Sequence, residues 1–365
     1  MKWRGASVHV AVLVTIVTAA SAKRALTFPG SVRWGYANCA TCHYNVAGGG
    51  VLTPYGRQLS RELLSTKGGE REAEFAYGAQ LPKWLALGGD VEYLTTSSGS
   101  GRGLRLVQAD FEGAASYGRW LAVATAGRGS KISDPMGNDW ISRRHYVQTI
   151  VTPTLSVRAG RFFPNYGVWN GDSSVAVRRG LGWDQETYNV EGNWITDRVN
   201  VALAGILDGT GESRNDRGVS ASAGVFFAGK RKVWLSFLSR GGPGRHQRAG
   251  GISGVFGIGR RAYLLTQADL QQIQDDTVSP AVAHDLLVNS CFARETVKGL
   301  YVLLIDEVVR RDLGETAEVS HSYGLGLRWF PRPHFEMQVR WRKQDVAMGS
   351  PDYLDGFSGF IHFYP

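Results

Sequence analysis

Cysteine is nearly absent, with three residues in 365, and this excludes a scaffold built on disulfides. Methionine is almost as scarce, at four. No stretch reaches the roughly 18 consecutive apolar residues that a membrane-spanning helix requires, so a helical membrane protein is excluded. Lysine is rare too: arginine supplies 32 of the 41 basic residues. The formal charge of +9 has no basic helix or Lys/Arg run behind it, and no nucleic-acid partner is expected. With 43% hydrophobic and 20% charged residues, the chain is too balanced for disorder and long enough for a large core. Glycine is abundant, at 47 residues, against a usual level of about 7%.

Residues 1–22 have the form of a secretory signal peptide. Lys2 and Arg4 make a basic start, Val8 to Ala20 is apolar but too short to span a bilayer, and Ala20-Ser21-Ala22 has the small-x-small pattern of a cleavage site. The mature chain is expected to begin at Lys23, outside the cytoplasm. The expected division is residues 1–22 as leader, 23–82 as an N-terminal segment and 83–365 as a separate domain.

The chemistry-bearing motif is Cys39-Ala40-Thr41-Cys42-His43, which matches the c-type haem attachment signature. Two thiols two residues apart can meet the two vinyl groups of one porphyrin, and the next residue projects an imidazole onto the iron. One covalent haem c is therefore expected, anchored by Cys39 and Cys42, with His43 as proximal iron ligand. Gly48-Gly49-Gly50 would let the backbone pass close to a flat macrocycle. A short helix is predicted over Gln58 to Ser65, with Leu59, Leu63 and Leu64 on one side. The segment holds no methionine and no second histidine, so a second axial ligand has to come from beyond it or the site is open.

From Lys83 onward the period is two. Phe335, Met337, Val339 and Trp341 alternate with Glu336, Gln338, Arg340 and Arg342; Tyr188, Val190 and Trp194 alternate with Asn189, Glu191 and Asn193; Val107, Ala109 and Phe111 alternate with Gln108, Asp110 and Glu112. Alternation sustained for so long, with charge on the polar faces and aromatics near strand ends, predicts an all-β fold: a transmembrane antiparallel barrel with a wet lumen. Sixteen strands are predicted to start near Trp84, Leu104, Arg119, Trp140, Leu155, Thr187, Val199, Gly218, Arg231, Arg248, Arg261, Val282, Lys298, Ala317, His334 and Phe357. Tight connections such as Tyr117-Gly118 and Thr152-Pro153 are expected on the periplasmic side. Longer ones, such as Ser97 to Gly103, Gly129 to Asp139 and Gly209 to Arg217, are expected outside.

The longest connection, Pro164 to Trp183, follows the fifth strand and is rich in turn and aromatic residues. In position and length it resembles the loop of general porins that folds inward and narrows the pore, and Arg158 to Pro164 looks like the strand leading into it. The chain as a whole resembles bacterial outer-membrane porin-like barrels carrying an N-terminal haem-attachment segment, and porin–cytochrome conduits. The resemblance implies an outer-membrane protein with its haem segment on the periplasmic side or within the lumen. It departs from the conduits in having one attachment site, and one macrocycle cannot span a hydrocarbon core of about 30 Å.

Three functions follow as expectations. The first is electron transfer at the periplasmic mouth, with a soluble periplasmic partner. The second is a diffusion porin passing small solutes or ions, with the haem segment as plug or redox sensor. Lumen-facing Arg158, Arg328, Arg340 and Arg342 favour anions there, offset by Asp110, Glu191 and Glu336. The third is a haem enzyme with an open iron position. For the distal ligand, His334 and His362 have inward parity near the periplasmic end, with His334 ahead on its cleaner strand. His284 and His321 are expected to face lipid, and Cys291 to face inward beside Asn289.

Overall fold

The structure is a computed structural model that describes residues 29–36, 38–98, 101–129, 140–168, 175–182, 186–209, 216–227, 230–276, 279–313, 318–345 and 356–364. The expected leader lies outside the described residues. The strands are β1 Leu85–Ser98, β2 Gly101–Tyr117, β3 Trp120–Gly129, β4 in two pieces, Trp140–Ile141 and His145–Thr152, β5 Leu155–Phe162, β6 Thr187–Ile195, β7 Val199–Gly209 and β8 Arg217–Phe227. There follow β9 Arg231–Gly242, β10 Arg245–Ile258, β11 Ala262–Asp275, β12 Ser279–Val297, β13 Leu300–Arg311, β14 Glu318–Trp329, β15 Phe335–Asp345 and β16 Gly356–Phe363. The two pieces of β4 pair with successive stretches of β3, so they form one stave. Each strand is antiparallel to the next, and β16 returns to pair with β1, with Val91 opposite Phe363. The result is a closed sixteen-stranded barrel with no free edge.

Side-chain alternation sorts the residues as the pattern predicts. Met337, Val339 and Trp341 face outward and are exposed, while Glu336, Gln338, Arg340 and Arg342 are buried in the interior. No helix among the described residues is long and apolar enough to cross a membrane. One parity correction comes from β2. Leu104 faces out, as does Phe111, although they differ in parity. The register slips at Glu92/Tyr93, leaving Val107 as the extra residue. Such a bulge lets both apolar sets point outward. The predicted loop Ser97–Gly103 shrinks to residues 99 and 100, because β1 and β2 run further than the pattern indicates.

The interior is not uniformly wet. Trp234, Val255, Tyr263, Leu265, Tyr301, Leu303 and Ile305 form an apolar patch on the inner wall, and Val32 and Leu64 of the N-terminal segment pack into it. Opposite, Val51 of the segment packs on Ala114, Leu121, Val123, Tyr146 and Phe162. The loop after β5 turns inward as its length suggests. Its Phe163, Tyr166, Val175, Val177 and Leu181 cover Ile206, Leu238, Ala249 and Leu287. Tyr166 donates to Asp269 at 2.6 Å, and the backbone N–H groups of Gly167 and Val168 bond Ser236 and Gln267. Among the described residues the lumen therefore holds two inserts, one from the N-terminal segment and one from this loop.

The segment's path follows from a few residues. Arg33, fully buried, bonds Glu295 at 2.7 Å and Tyr301 at 2.5 Å on the barrel wall. At Gly257 a Cβ would press on the backbone of Val32 and Arg33, so glycine is what allows that approach. At its far end the segment leaves over the short turns: Thr66 and Lys67 donate backbone N–H to the carbonyls of Phe330 and Pro331.

Candidate functional site

Cys39–Thr41 forms one turn of 3-10 helix, capped by the Asn38 side chain on the Ala40 N–H. The N–H groups of Cys42 and His43 both bond the Cys39 carbonyl, so both cysteines and His43 belong to one turn. The chain then reverses. Tyr44 N–H bonds Val51 O, Thr53 N–H bonds Cys42 O, and His43 bridges Leu52. Gly48, Gly49 and Gly50 have φ of 95°, 75° and 72°, a left-handed run that residues with a Cβ adopt only at a cost. Asn45 braces the turn by donating to Gly48 O at 2.7 Å and accepting from Ala47 N–H.

The helix over Gln58–Ser65 is longer in the structure. An α-helix, α1, spans Pro54–Leu59 and passes into a wider turn at Ser60–Leu64. Thr53 caps it through the Gly56 N–H, and Pro54 opens it. This is a start signal present in the sequence. At Gly56 a Cβ would collide with the Cys42 backbone, so α1 lies directly on the motif.

His43 Nδ1 lies 3.2 Å from the Gly50 carbonyl oxygen. A carbonyl only accepts, so Nδ1 carries the proton and Nε2 keeps its lone pair. That is the usual way a metal-bound imidazole is oriented by its surroundings. Burial, opposed by the hydrogen bond to Gly50 and reinforced by Arg144, lowers the His43 pKa to about 4, so the ring is neutral at pH 7. Cys39 and Cys42 are not joined in a disulfide. Burial pushes the Cys39 thiol up, opposed by the nearby Lys232 ammonium. No three His, Cys, Asp or Glu side chains among the described residues are grouped to hold a bare metal ion.

All three motif residues open onto one cavity of about 300 Å³ between the segment and the inward loop. Its size lies at the small end of ligand pockets, about 300–1,000 Å³. Gly48–Gly50, Val46, Val51, Leu59 and Leu64 line the segment's side. Phe163, Val168, Val175 and Arg178 come from the loop, and Asp90, Lys232, Cys291, Arg340 and His362 from the wall. Two unbridged cysteines and an imidazole in one turn, with Nδ1 held by Gly50 and a glycine-rich apolar face on the segment's side of the cavity, fit a porphyrin carried on Cys39, Cys42 and His43.

The two distal candidates part company. His362 lines this cavity. Its Nε2 lies 2.7 Å from Asp90 and its Nδ1 3.7 Å from Glu336. His334 is buried at φ 63° just before β15, flanked by Tyr77 and Tyr364, and is not on the cavity wall. Burial, with Arg57 adding to it, lowers the His334 pKa to about 4. His284 faces outward as expected. His321 also points out, bonded to Asp306 at 2.6 Å. His145, unassigned by parity, bonds Tyr188 and Ser142. Cys291 faces the cavity, as expected from its parity.

The lumen arginines are mostly answered by carboxylates: Arg158 by Glu191 at 2.6 Å, Arg328 by Glu336 at 2.9 Å and Arg342 by Glu307 at 3.5 Å. Arg144 pairs with Glu112 at 3.0 Å and Arg143 with Asp110 at 3.1 Å. The sequence reading missed Lys232, whose inward parity is shared with Trp234 and Ser236.

No protein-family model matches the sequence, and no curated protein matches it. Solved structures do. OmpTdeltaL8, a loop-deletion mutant of the outer membrane protein OmpT of Vibrio cholerae, superposes with a TM-score of 0.63 at 12% identity, covering 77% of this chain and 98% of its own. The anion-selective porin from Comamonas acidovorans gives 0.56 at 13% identity, with 77% and 98% covered. The outer membrane channel DcaP of Acinetobacter baumannii gives 0.56 at 11%, with 77% and 96% covered. At these identities the likeness establishes a porin-like barrel fold.

Proposed function

We propose that this chain is an outer-membrane barrel carrying one covalent c-type haem inside its lumen, exchanging electrons with a soluble partner on the periplasmic side. The observation that carries the reading is the hydrogen bond from His43 Nδ1 to Gly50, beside the unbridged cysteines Cys39 and Cys42 on a cavity inside the barrel. A haem held there would supply one-electron exchange at its iron. Cys39 and Cys42 would hold it by thioethers and His43 Nε2 would be the proximal ligand, with Gly50 fixing the ring. His362 would be the better-placed second ligand, since it shares the cavity with His43, and would have to leave its contact with Asp90 to serve. The outer-membrane location is supported by the porin-like fold, the apolar exterior against membrane lipid and the export signal. On the segment, Tyr55 and Glu62 are exposed and offer a surface to a partner.

Passage of small solutes or ions is the second reading, favoured by the likeness to porins. Two packed inserts in the bore weigh against free diffusion, and the paired arginines weigh against a strong anion preference. The test is haem staining of the purified protein in a denaturing gel together with its absorption spectrum, for the parent chain and for Cys39→Ala/Cys42→Ala. A stained parent and an unstained, still heat-modifiable double variant are expected. A parent without haem absorption overturns the electron-transfer reading and leaves the porin. Carbon monoxide binding by the reduced parent would mark an open iron position and favour a small-ligand enzyme.

A further inference from the structure

We propose that Lys232 raises the reduction potential of the haem held by Cys39, Cys42 and His43, acting as a fixed unpaired positive charge on the wall of its cavity. The inference rests on the haem reading above.

Lys232 stands on β9 with its side chain in the lumen, and lines the same cavity as the three motif residues. Its ammonium is held by uncharged groups. It donates to Asn200 Oδ1 at 3.3 Å and sits 4.4 Å from the ring centre of Trp234 and 5.3 Å from that of Phe226. Among the described residues no carboxylate pairs with it. Rings and an amide fix a cation in place through weak attraction and leave its field intact.

Two arginines near the motif differ. Arg144 has Glu112 and Arg158 has Glu191. A paired arginine acts as a dipole, whose field fades quickly with distance. An unpaired lysine acts as a whole charge, and inside a packed lumen salt screens it little. Charge around a haem is one of the protein's levers on its potential. A nearby positive charge disfavours the oxidised form, which carries one more positive charge than the reduced form. A unit charge about 10 Å away, at an effective dielectric constant of about 20, is worth roughly a tenfold change in such an equilibrium.

The test is a spectroelectrochemical titration of the detergent-purified parent, Lys232→Met and Lys232→Arg. The expected result for Lys232→Met is about a tenfold shift toward the oxidised form at a given potential, equal to a midpoint lower by about 59 mV for one electron. Lys232→Arg keeps the charge and is expected to stay near the parent. An unchanged midpoint in Lys232→Met overturns the proposal, as does an equal shift in both variants, which would mark a packing effect. A parent without haem absorption is visible before any titration and removes the haem reading itself, and this proposal with it. If Lys232→Met does not reach the heat-modifiable form, Lys232→Gln, which keeps a polar end for Asn200, carries the same expectation.

Discussion

Arg158 Nη1 donates to Asn45 Oδ1 at 2.6 Å, while its Nε and Nη2 both hold Glu191. One wall arginine thus ties the turn that follows His43 to the barrel. Asn45 is also the residue that braces the triple-glycine turn, so the wall contact and the shape of the motif are mechanically linked.

Replacing Arg158 by alanine leaves Glu191 buried and unpaired, a loss on the order of 3–5 kcal/mol. The segment is expected to loosen while the barrel persists. Limited proteolysis of detergent-solubilised protein should cut within residues 38–66 faster in the variant, with heat-modifiability retained. Equal cutting rates would contradict the coupling.

Deleting residues 23–82 while keeping residues 1–22 is expected to give a barrel of higher conductance. The inner patches that receive Val32, Leu64 and Val51 then face water and no insert crosses that half of the bore. Planar-bilayer recording reads this directly. A deletion barrel that conducts no better than the parent would mean that the inward loop alone closes the lumen.

His362→Ala is expected to change a low-spin haem spectrum to a high-spin one, and His334→Ala to leave it unaltered. The first lines the cavity and the second is walled off behind Tyr77 and Tyr364. The reverse pattern would relocate the distal ligand to the residue that the strand pattern ranks first.

Stability should also depend on pH through His334. Its folded pKa is lowered to about 4 from 6.5. Below about 6.5 the unfolded chain takes up a proton that the folded one refuses. Stability is therefore full above pH 6.5 and declines as pH falls toward 4, by up to about 3 kcal/mol. The temperature at which the heat-modifiable band converts should drop over that range. His334→Gln should flatten the drop; an unchanged slope would point to other groups.

The strands were legible because the barrel keeps its outer faces apolar and its inner faces largely polar. Met337, Val339 and Trp341 announce that requirement residue by residue, and every strand starts within three residues of its expected position. The Cys39–His43 motif was legible for a local reason, its fixed spacing. What escaped the pattern is what the interior does with its residues. Tyr263, Leu265, Tyr301 and Leu303 read as ordinary strand positions, because an apolar inner wall is indistinguishable from a buried sheet until its occupant is known. His334 had the right parity, yet parity fixes only the side of the wall. Its left-handed φ and its cover by Tyr77 come from the turn and the segment. Lys232 carries no sequence signal beyond its inward parity, since its contacts with Asn200 and Phe226 form only across strands.

The segment is joined to the barrel by residues 67–84 alone, and β1 and β16 close without it. Those 18 residues, fully extended, reach about 60 Å, roughly twice the hydrocarbon thickness of a bilayer. The tether is longer than the hole is deep. What keeps the insert in the lumen is therefore its contacts with the wall, through Arg33, Val32, Leu64 and Val51, and no pair of strands has to come apart for it to leave. The barrel therefore behaves as a bottle whose stopper hangs on its own chain.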